Sequence, residues 1–300
     1  MTGLTPDDLR HLDAAVANAR RGPLGKLGAA PLRLGYSKVM EAWCRWRGTA
    51  VRRTARTFWG EPMAVAFPDP VSLTIYRYGY FEEELTRVFI EILRPGMTFF
   101  DVGSHFGFFS LLALRLVGPS GRVVAFEPTP TTREMLERNI GGRPNASIVP
   151  MAAYREDTTL TLHDFGVRYS AFNSIYSGKM GTDERRAAEP VSFSVPATTI
   201  DGFVASSGVA PDVLKIDTEG AELDVLAGME RLLTGRDGLK RPMLTLEVGD
   251  VGGPDISPSR GVVQAILSHG YQGYEVREGR LVEHTPRDRY EYTNLLFRPD

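Results

Sequence analysis

Between Thr98 and Val248 short apolar runs alternate with segments of helical spacing, and no other feature constrains the fold so tightly. Thr98–Val102, Arg122–Phe126, Ser147–Met151, Val213–Ile216 and Met243–Val248 read as strands. Between them Phe108–Val117, Thr131–Ile140 and Ala221–Leu233 read as helices. Thr131 and Glu134 have the spacing of a capping box, and Gly235 closes the last helix. Upstream, Leu85, Val88, Phe89, Ile92 and Leu93 give Glu82–Leu93 a helical period that ends at Arg94-Pro95-Gly96. Val262–Ser268 is a further helix, and Tyr271–Val276 and Tyr292–Arg298 are closing strands. Strands alternating with helices predict an α/β fold with a doubly wound, mostly parallel sheet. In such sheets ligands bind beyond the carboxyl ends of the strands, near the switch in strand order.

Asp101-Val102-Gly103-Ser104-His105-Phe106-Gly107 leaves the first parallel strand. Gly103 and Gly107 allow a sharp turn and a close backbone approach to a ligand. The helix starting near Phe108 offers free N–H groups to a carboxylate. Glu127, just past the second strand, can accept hydrogen bonds from two ribose hydroxyls. A nicotinamide fingerprint would need glycine where His105 and Phe108 stand, and no phosphate-loop motif occurs. S-adenosylmethionine, another nucleotide, and a purely structural turn remain open on these residues alone.

The chain resembles the FkbM family of methyltransferases from about Tyr78 to Phe297. The resemblance rests on Gly79-Tyr80-Phe81-Glu82, on Phe100 through Gly107, on Phe126-Glu127-Pro128, and on Lys215-Ile216-Asp217-Thr218-Glu219-Gly220-Ala221-Glu222. Thr199-Ile200-Asp201 and Asn294-Leu295-Leu296-Phe297 also look like family positions. It implies a class I, Rossmann-like methyltransferase fold, S-adenosyl-L-methionine as donor, and O-methylation of a natural product, sugar or small metabolite. Cofactor contacts are expected from Glu82, Asp101, Gly103, Ser104, His105, Gly107, Glu127, Ala152 and Asp217. Ser104-His105 stands where the family commonly has Ala-Asn, so the contact of that Asn is not carried over.

Methyl transfer is an in-line displacement and mainly a positioning task. An alcohol acceptor must also lose a proton, so a base or a metal is expected near the methyl group. Strand alternation puts Lys215 and Asp217 on one side, with Asp217 and Glu219 at the mouth of the sheet and Glu222 in the next helical turn. Asp217, Glu219 and His105 are the catalytic candidates. Asp217 and Glu247, at two adjacent strand ends, could hold Mg2+. The bland alternative is a salt bridge of Lys215 with Asp217 or Glu247, plus acidic residues favoured by a helix dipole. His163, at the end of a strand over Thr158–Leu162, reads as structural. Gly166–Pro190 is the candidate acceptor-binding cap.

Residues 1–60 read as a helical N-terminal extension to a methyltransferase domain over 61–300. Helical spacing runs from Val39 to Phe58, with arginines beside Trp43, Trp46 and Trp59. Met63–Phe67 and Val71–Tyr76 suggest a hairpin around Pro68-Asp69-Pro70. Cys44 is the sole cysteine, which excludes an intrachain disulfide and cysteine-rich zinc sites. A net charge of -2 gives no global sign of nucleic-acid binding. No run approaches the ~18 apolar residues of a membrane span, so a cytoplasmic protein without membrane insertion is expected, and a homo-oligomer is possible. The competing functions are methylation of a carboxylate or amine, and binding of the cofactor without catalysis.

Overall fold

The computed structural model describes residues 3–22, 31–166, 191–250, 258–277 and 280–300. Helix α1 (Pro6–Arg20) opens on a capping box in which Thr5 and Asp8 exchange hydrogen bonds. Helix α2 (Pro31–Arg47) follows, and there the expected helix to Phe58 is corrected. Gly48 turns the chain in the left-handed region, and Val51–Arg56 is a strand, β1, paired antiparallel with β2 (Pro62–Phe67). The expected hairpin around Pro68-Asp69-Pro70 is corrected too. Pro70–Tyr78 is helix α3, because the Asp69 carboxylate accepts from Ser72 N at 2.6 Å and Pro70 suits the first helical turn. The β1–β2 pairing straddles residue 60, where the sequence changes its grammar.

Helix α4 (Glu83–Ile92) leads into β3 (Thr98–Val102), α5 (Phe108–Val117), β4 (Arg122–Phe126), α6 (Pro130–Ile140) and β5 (Ala146–Val149). A three-stranded sheet follows, from β6 (Ala152–Ala153), β7 (Thr158–Asp164) and β8 (Val191–Thr198). The main sheet resumes with α7 (Ile200–Ser207), β9 (Val213–Ile216), α8 (Glu222–Ala227), α9 (Glu230–Thr234) and β10 (Met243–Val248). The chain closes with α10 (Ser259–Ser268), β11 (Tyr271–Arg277), β12 (Arg280–Glu283) and β13 (Thr293–Pro299).

The main sheet runs β12-β11-β13-β10-β9-β3-β4-β5, with β10 through β5 parallel and β13 antiparallel to both neighbours. From β3 the chain steps outward to β4 and β5, then crosses to β9 and β10 on the other side. Strand order therefore switches between β3 and β9, which places the ligand crevice at their carboxyl ends. Alternation along the strands builds two cores. Phe99, Val123, Ala125 and Val213 pack with α4, α5 and α6, while Phe100, Val124, Phe126 and Leu214 pack with α7, α8 and α10. With helices on both faces, β3 and β9 are buried along almost their whole length.

Two local expectations fail for stated reasons. Ala221–Leu233 breaks at Gly228, where a Cβ would sit 2.0 Å from the Tyr154 carbonyl oxygen, so two short helices replace one. Thr131 is not a cap: α6 begins at Pro130, and the Thr131 hydroxyl donates to Asp164 at 2.8 Å. Among the described residues no helix is long and apolar enough to cross a membrane.

Candidate active site

A cavity of about 490 Å³ opens at the carboxyl ends of β3, β4, β9 and β10, within the usual range for small-molecule sites. Glu82, Gly103, Ser104, His105, Gly107, Glu127, Ala152, Asp217, Glu219 and Glu247 all line it, so the residues singled out by sequence converge on one space. Asp101 is the exception. Its fully buried carboxylate accepts from Ser110 Oγ at 2.6 Å and faces Lys215 Nζ at 3.5 Å, behind the loop rather than in the cavity wall. Residues 167–190, most of the expected acceptor cap, lie outside the described residues.

The first wall is made by the β3 and β4 loops. Gly103 has φ 80°, and a Cβ there would lie 1.8 Å from the Asp217 backbone oxygen, so only glycine lets the two strand ends meet. Ser104 Oγ donates to the Asp101 carbonyl at 2.7 Å and fixes the turn. His105 takes a left-handed φ of 50°, stacks on Phe106, and donates its backbone N–H to Glu127 Oε2 at 2.9 Å. Glu127 Oε1 accepts from Thr129 N at 2.9 Å and Thr132 Oγ1 at 2.8 Å. Burial pushes the Glu127 carboxyl above its ordinary value, opposed by the Thr132 hydrogen bond. A carboxylate offers about four acceptor directions. Bonds from His105, Thr129 and Thr132 take up these directions and fix the carboxylate at the cavity wall.

The second wall is made by β9, β10, β13 and the start of α4. Lys215 Nζ lies 3.0 Å from Asp217 Oδ2, and strand alternation does put the two on one side. Burial alone would lower the lysine pKa, but the charges of Asp217 and Asp101 outweigh it and hold the ammonium protonated. Glu82, at a left-handed φ of 40°, accepts from Asn294 Nδ2 at 3.1 Å. Burial and then the Asp217 charge push its carboxyl up to about 7. Glu247 is raised well above the ordinary carboxylate range by burial, then by Asp217, Glu82 and Glu219. Tyr292 hydrogen-bonds it, yet its buried Oε1 has no partner among the described residues. Carboxylate oxygens of Asp217, Glu219 and Glu247 lie within 4.8 Å of one another. Glu222 differs: its Oε1 accepts from Thr218 N, Thr218 Oγ1 and Gly220 N, and so closes the turn before α8.

Tyr292 and Asn294 are the part of the site that motif reasoning missed. They reach it through antiparallel pairing, which sets Asn294 opposite Glu247. The family block at Asn294–Phe297 marks the segment, but only the register reveals its task.

The crevice thus joins a hydrogen-bonded wall at Glu127 to a carboxylate wall at Asp217, at the switch in strand order where α/β proteins bind ligands. The Methyltransferase FkbM domain matches residues 101–272, and the chain belongs to that family. That family is one of methyltransferases, and it implies S-adenosylmethionine as donor. The chain is 30% identical over 202 residues to the 31-O-demethyl-FK506 methyltransferase FkbM of Streptomyces tacrolimicus, covering 60% of this chain and 74% of that protein. It is 28% identical over 153 residues to the hexuronic acid methyltransferase AglP of Haloferax volcanii, covering 51% and 58%. It is 27% identical over 252 residues to the AMB antimetabolite synthetase AmbE of Pseudomonas aeruginosa, covering 72% of this chain but 11% of that protein. The residues present fit such a donor: Glu127 stands at the cavity wall beyond the second strand, where a ribose would lie, and Glu82, Asp217, Glu219 and Glu247 line the opposite side, where they would face a sulfonium's charge.

Proposed function

We propose that the protein methylates a hydroxyl oxygen of a small molecule such as a natural product, a sugar or a small metabolite. The observation that carries the reading is the carboxylate wall around Asp217, with Glu82 pushed up to about 7. When bound, the donor supplies an electrophilic methyl group on sulfur. Asp217, held by Lys215, orients the acceptor hydroxyl across the β3–β9 crevice and is the first candidate to take its proton. Glu82 is a second proton acceptor, because a carboxyl near 7 binds a proton well yet is often free of it at neutral pH. His105 and Glu219, on the same cavity, hold the acceptor from the loop side and the α8 side.

Support also comes from what the relatives are called: one acts on 31-O-demethyl-FK506, the other on a hexuronic acid. Carboxylate methylation is the weaker reading, since Glu82, Asp217, Glu219 and Glu247 would repel an anionic acceptor. An amine acceptor is the second reading, because the same wall attracts a cation. Incubation with labelled donor and a panel of neutral alcohols, acids and amines separates these. Base-stable methyl ethers are expected. Label found only in base-labile esters, or only on nitrogen, would overturn the hydroxyl assignment.

A divalent cation at Asp217, Glu219 and Glu247 would supply Lewis acidity, and the 4.8 Å clustering favours it. Lys215 already places positive charge 3.0 Å from Asp217, so turnover without a metal is the expected outcome. Activity that chelator abolishes and magnesium restores, with no loss of folding, would reverse that.

A further inference from the structure

One face of α2 has no task in the site. Leu32, Tyr36, Val39, Trp43 and Trp46 are exposed, three of them strongly: Leu32 88%, Val39 68% and Trp46 78%. Their spacing of four, three, four and three residues sets them in one row along about 21 Å of helix. Leu34, Ser37 and Cys44 face the protein, and at about 100° per residue the row lies on the opposite side. Leu32, Val39 and Trp46 therefore point away from the body, while Tyr36 leans back against Tyr76, their ring centroids 6.1 Å apart.

Cations line both flanks. Arg33 and Arg47 fall on one side of the row, Lys38 and Arg45 on the other, with Arg53 of β1 bonded to the Tyr36 hydroxyl. Residues 31–56 hold seven Lys and Arg against one acidic residue, whereas the whole chain has 35 against 37. The one acid, Glu41, is taken by Arg45 and Arg77. Arg33, Lys38, Arg47 and Arg53 have no carboxylate within salt-bridge reach among the described residues.

We infer that α2 docks on an anionic lipid bilayer and lies in its interface without crossing it. Aromatic and aliphatic side chains on one ridge, with cations at the level of its flanks, match what such a surface offers: apolar depth below and negative headgroups beside. A second copy is disfavoured by charge, because a two-fold contact through the row would set the flanking cations of both copies together. A lone ridge pointing outward also suits a deformable flat medium better than it suits a groove. Arg77, in the last turn of α3, donates to Ser37 and Glu41 of α2, and Pro70, Val71 and Thr74 of α3 line the cavity. The docking helix is thus bolted to a wall of the active site.

The test uses the full chain with vesicles of phosphatidylcholine alone or mixed equally with phosphatidylglycerol. Partition is read by sedimentation and by tryptophan emission; Trp59 is buried, so a blue shift on binding reports Trp43 and Trp46. At low salt, binding to the anionic vesicles at least tenfold above neutral ones is expected, and 0.5 M salt should remove most of it. Trp43→Ser with Trp46→Ser, and separately Arg33→Glu with Lys38→Glu and Arg47→Glu, should each lower it at least tenfold with an unchanged melting temperature. Equal binding to both vesicle types, or none to either, overturns the proposal and leaves an acidic protein as the partner to seek. A dimer that the double serine variant splits into monomers also overturns it, since a second copy then covers the ridge. None of these readouts depends on methyl transfer.

Discussion

The two walls of the cavity are built on opposite principles. On the β3–β4 wall the polar side chains are engaged: Ser104 with Asp101 and Phe126 carbonyls, Glu127 with His105, Thr129 and Thr132. On the β9–β10 wall Asp217 and Glu82 act on one buried lysine, Glu82 is lifted to about 7, and among the described residues a Glu247 oxygen has no partner. A wall that is already satisfied is preorganised and gains little by changing when a ligand arrives. A wall with raised carboxyls at Glu82 and Glu247 stores electrostatic cost that a cationic ligand relieves. In the proposed function, the first wall recognises the nucleoside and the second carries the chemistry.

The harshest way to break this division is to remove the place where the walls touch. Gly103→Ala puts a Cβ against the Asp217 carbonyl and forces alanine to a positive φ. The strand ends must separate, at a cost of at least about 3 kcal/mol in urea unfolding. A variant within about 1 kcal/mol of the parent would mean that the loop yields easily and that the close contact is unimportant.

Next in size is Asp217→Asn, which keeps the shape of the second wall and removes its charge. Turnover should fall ~10²-fold or more, the scale of general-base loss, while donor affinity changes by no more than a few-fold. If Asp217 only anchors Lys215, melting temperature drops instead and turnover follows the folded fraction. Normal turnover in a stable variant would shift the role to Glu82 or His105.

Glu127→Ala tests the first wall. Losing a hydrogen bond to a charged group should weaken donor binding by about 1–3 kcal/mol, with turnover at saturating donor nearly kept. Calorimetry of donor binding decides it, and undiminished affinity would remove Glu127 from the nucleoside site.

The same contrast explains what the sequence could disclose. Strand ends next to each other in a parallel sheet carry their residues in local motifs, so Gly103, Glu127, Asp217 and Glu247 were legible, as was the pairing of Lys215 with Asp217. Tyr292 and Asn294 were not, because their place depends on the antiparallel register of β13 with β10. Local pattern also misled at β1. Its Val-Arg-Arg-Thr-Ala-Arg has one buried residue, Ala55, and so lacks the apolar alternation that marks a strand. The break at Gly228 depends on a carbonyl more than 70 positions earlier in the chain, which no window of sequence contains.

Titration of Glu82 most sharpens the comparison, because it reads the stored cost of the second wall directly. Glu82 titrates near 7 in the folded protein, against about 4.5 when freed of its surroundings. The folded state therefore holds this proton more tightly than the unfolded chain does, and stability declines as pH rises between those two values. Below the lower value the cost is absent; above the upper it is complete, on the order of 3 kcal/mol for a shift of this size. Glu82→Gln cannot ionise, keeps a hydrogen-bonding group toward Asn294, and should escape the cost. The variant is then expected to match the parent's stability near pH 4.5 and exceed it near pH 8. A cationic donor acts in the opposite sense: it favours the ionised carboxyl, so parent affinity should rise with pH through 7 while the variant's stays flatter. Unfolding curves and donor titrations at pH 5, 6, 7 and 8 on both proteins give the two profiles. Parallel stability curves with a constant offset would show that Glu82 is not a raised carboxyl, and that the second wall is as settled as the first.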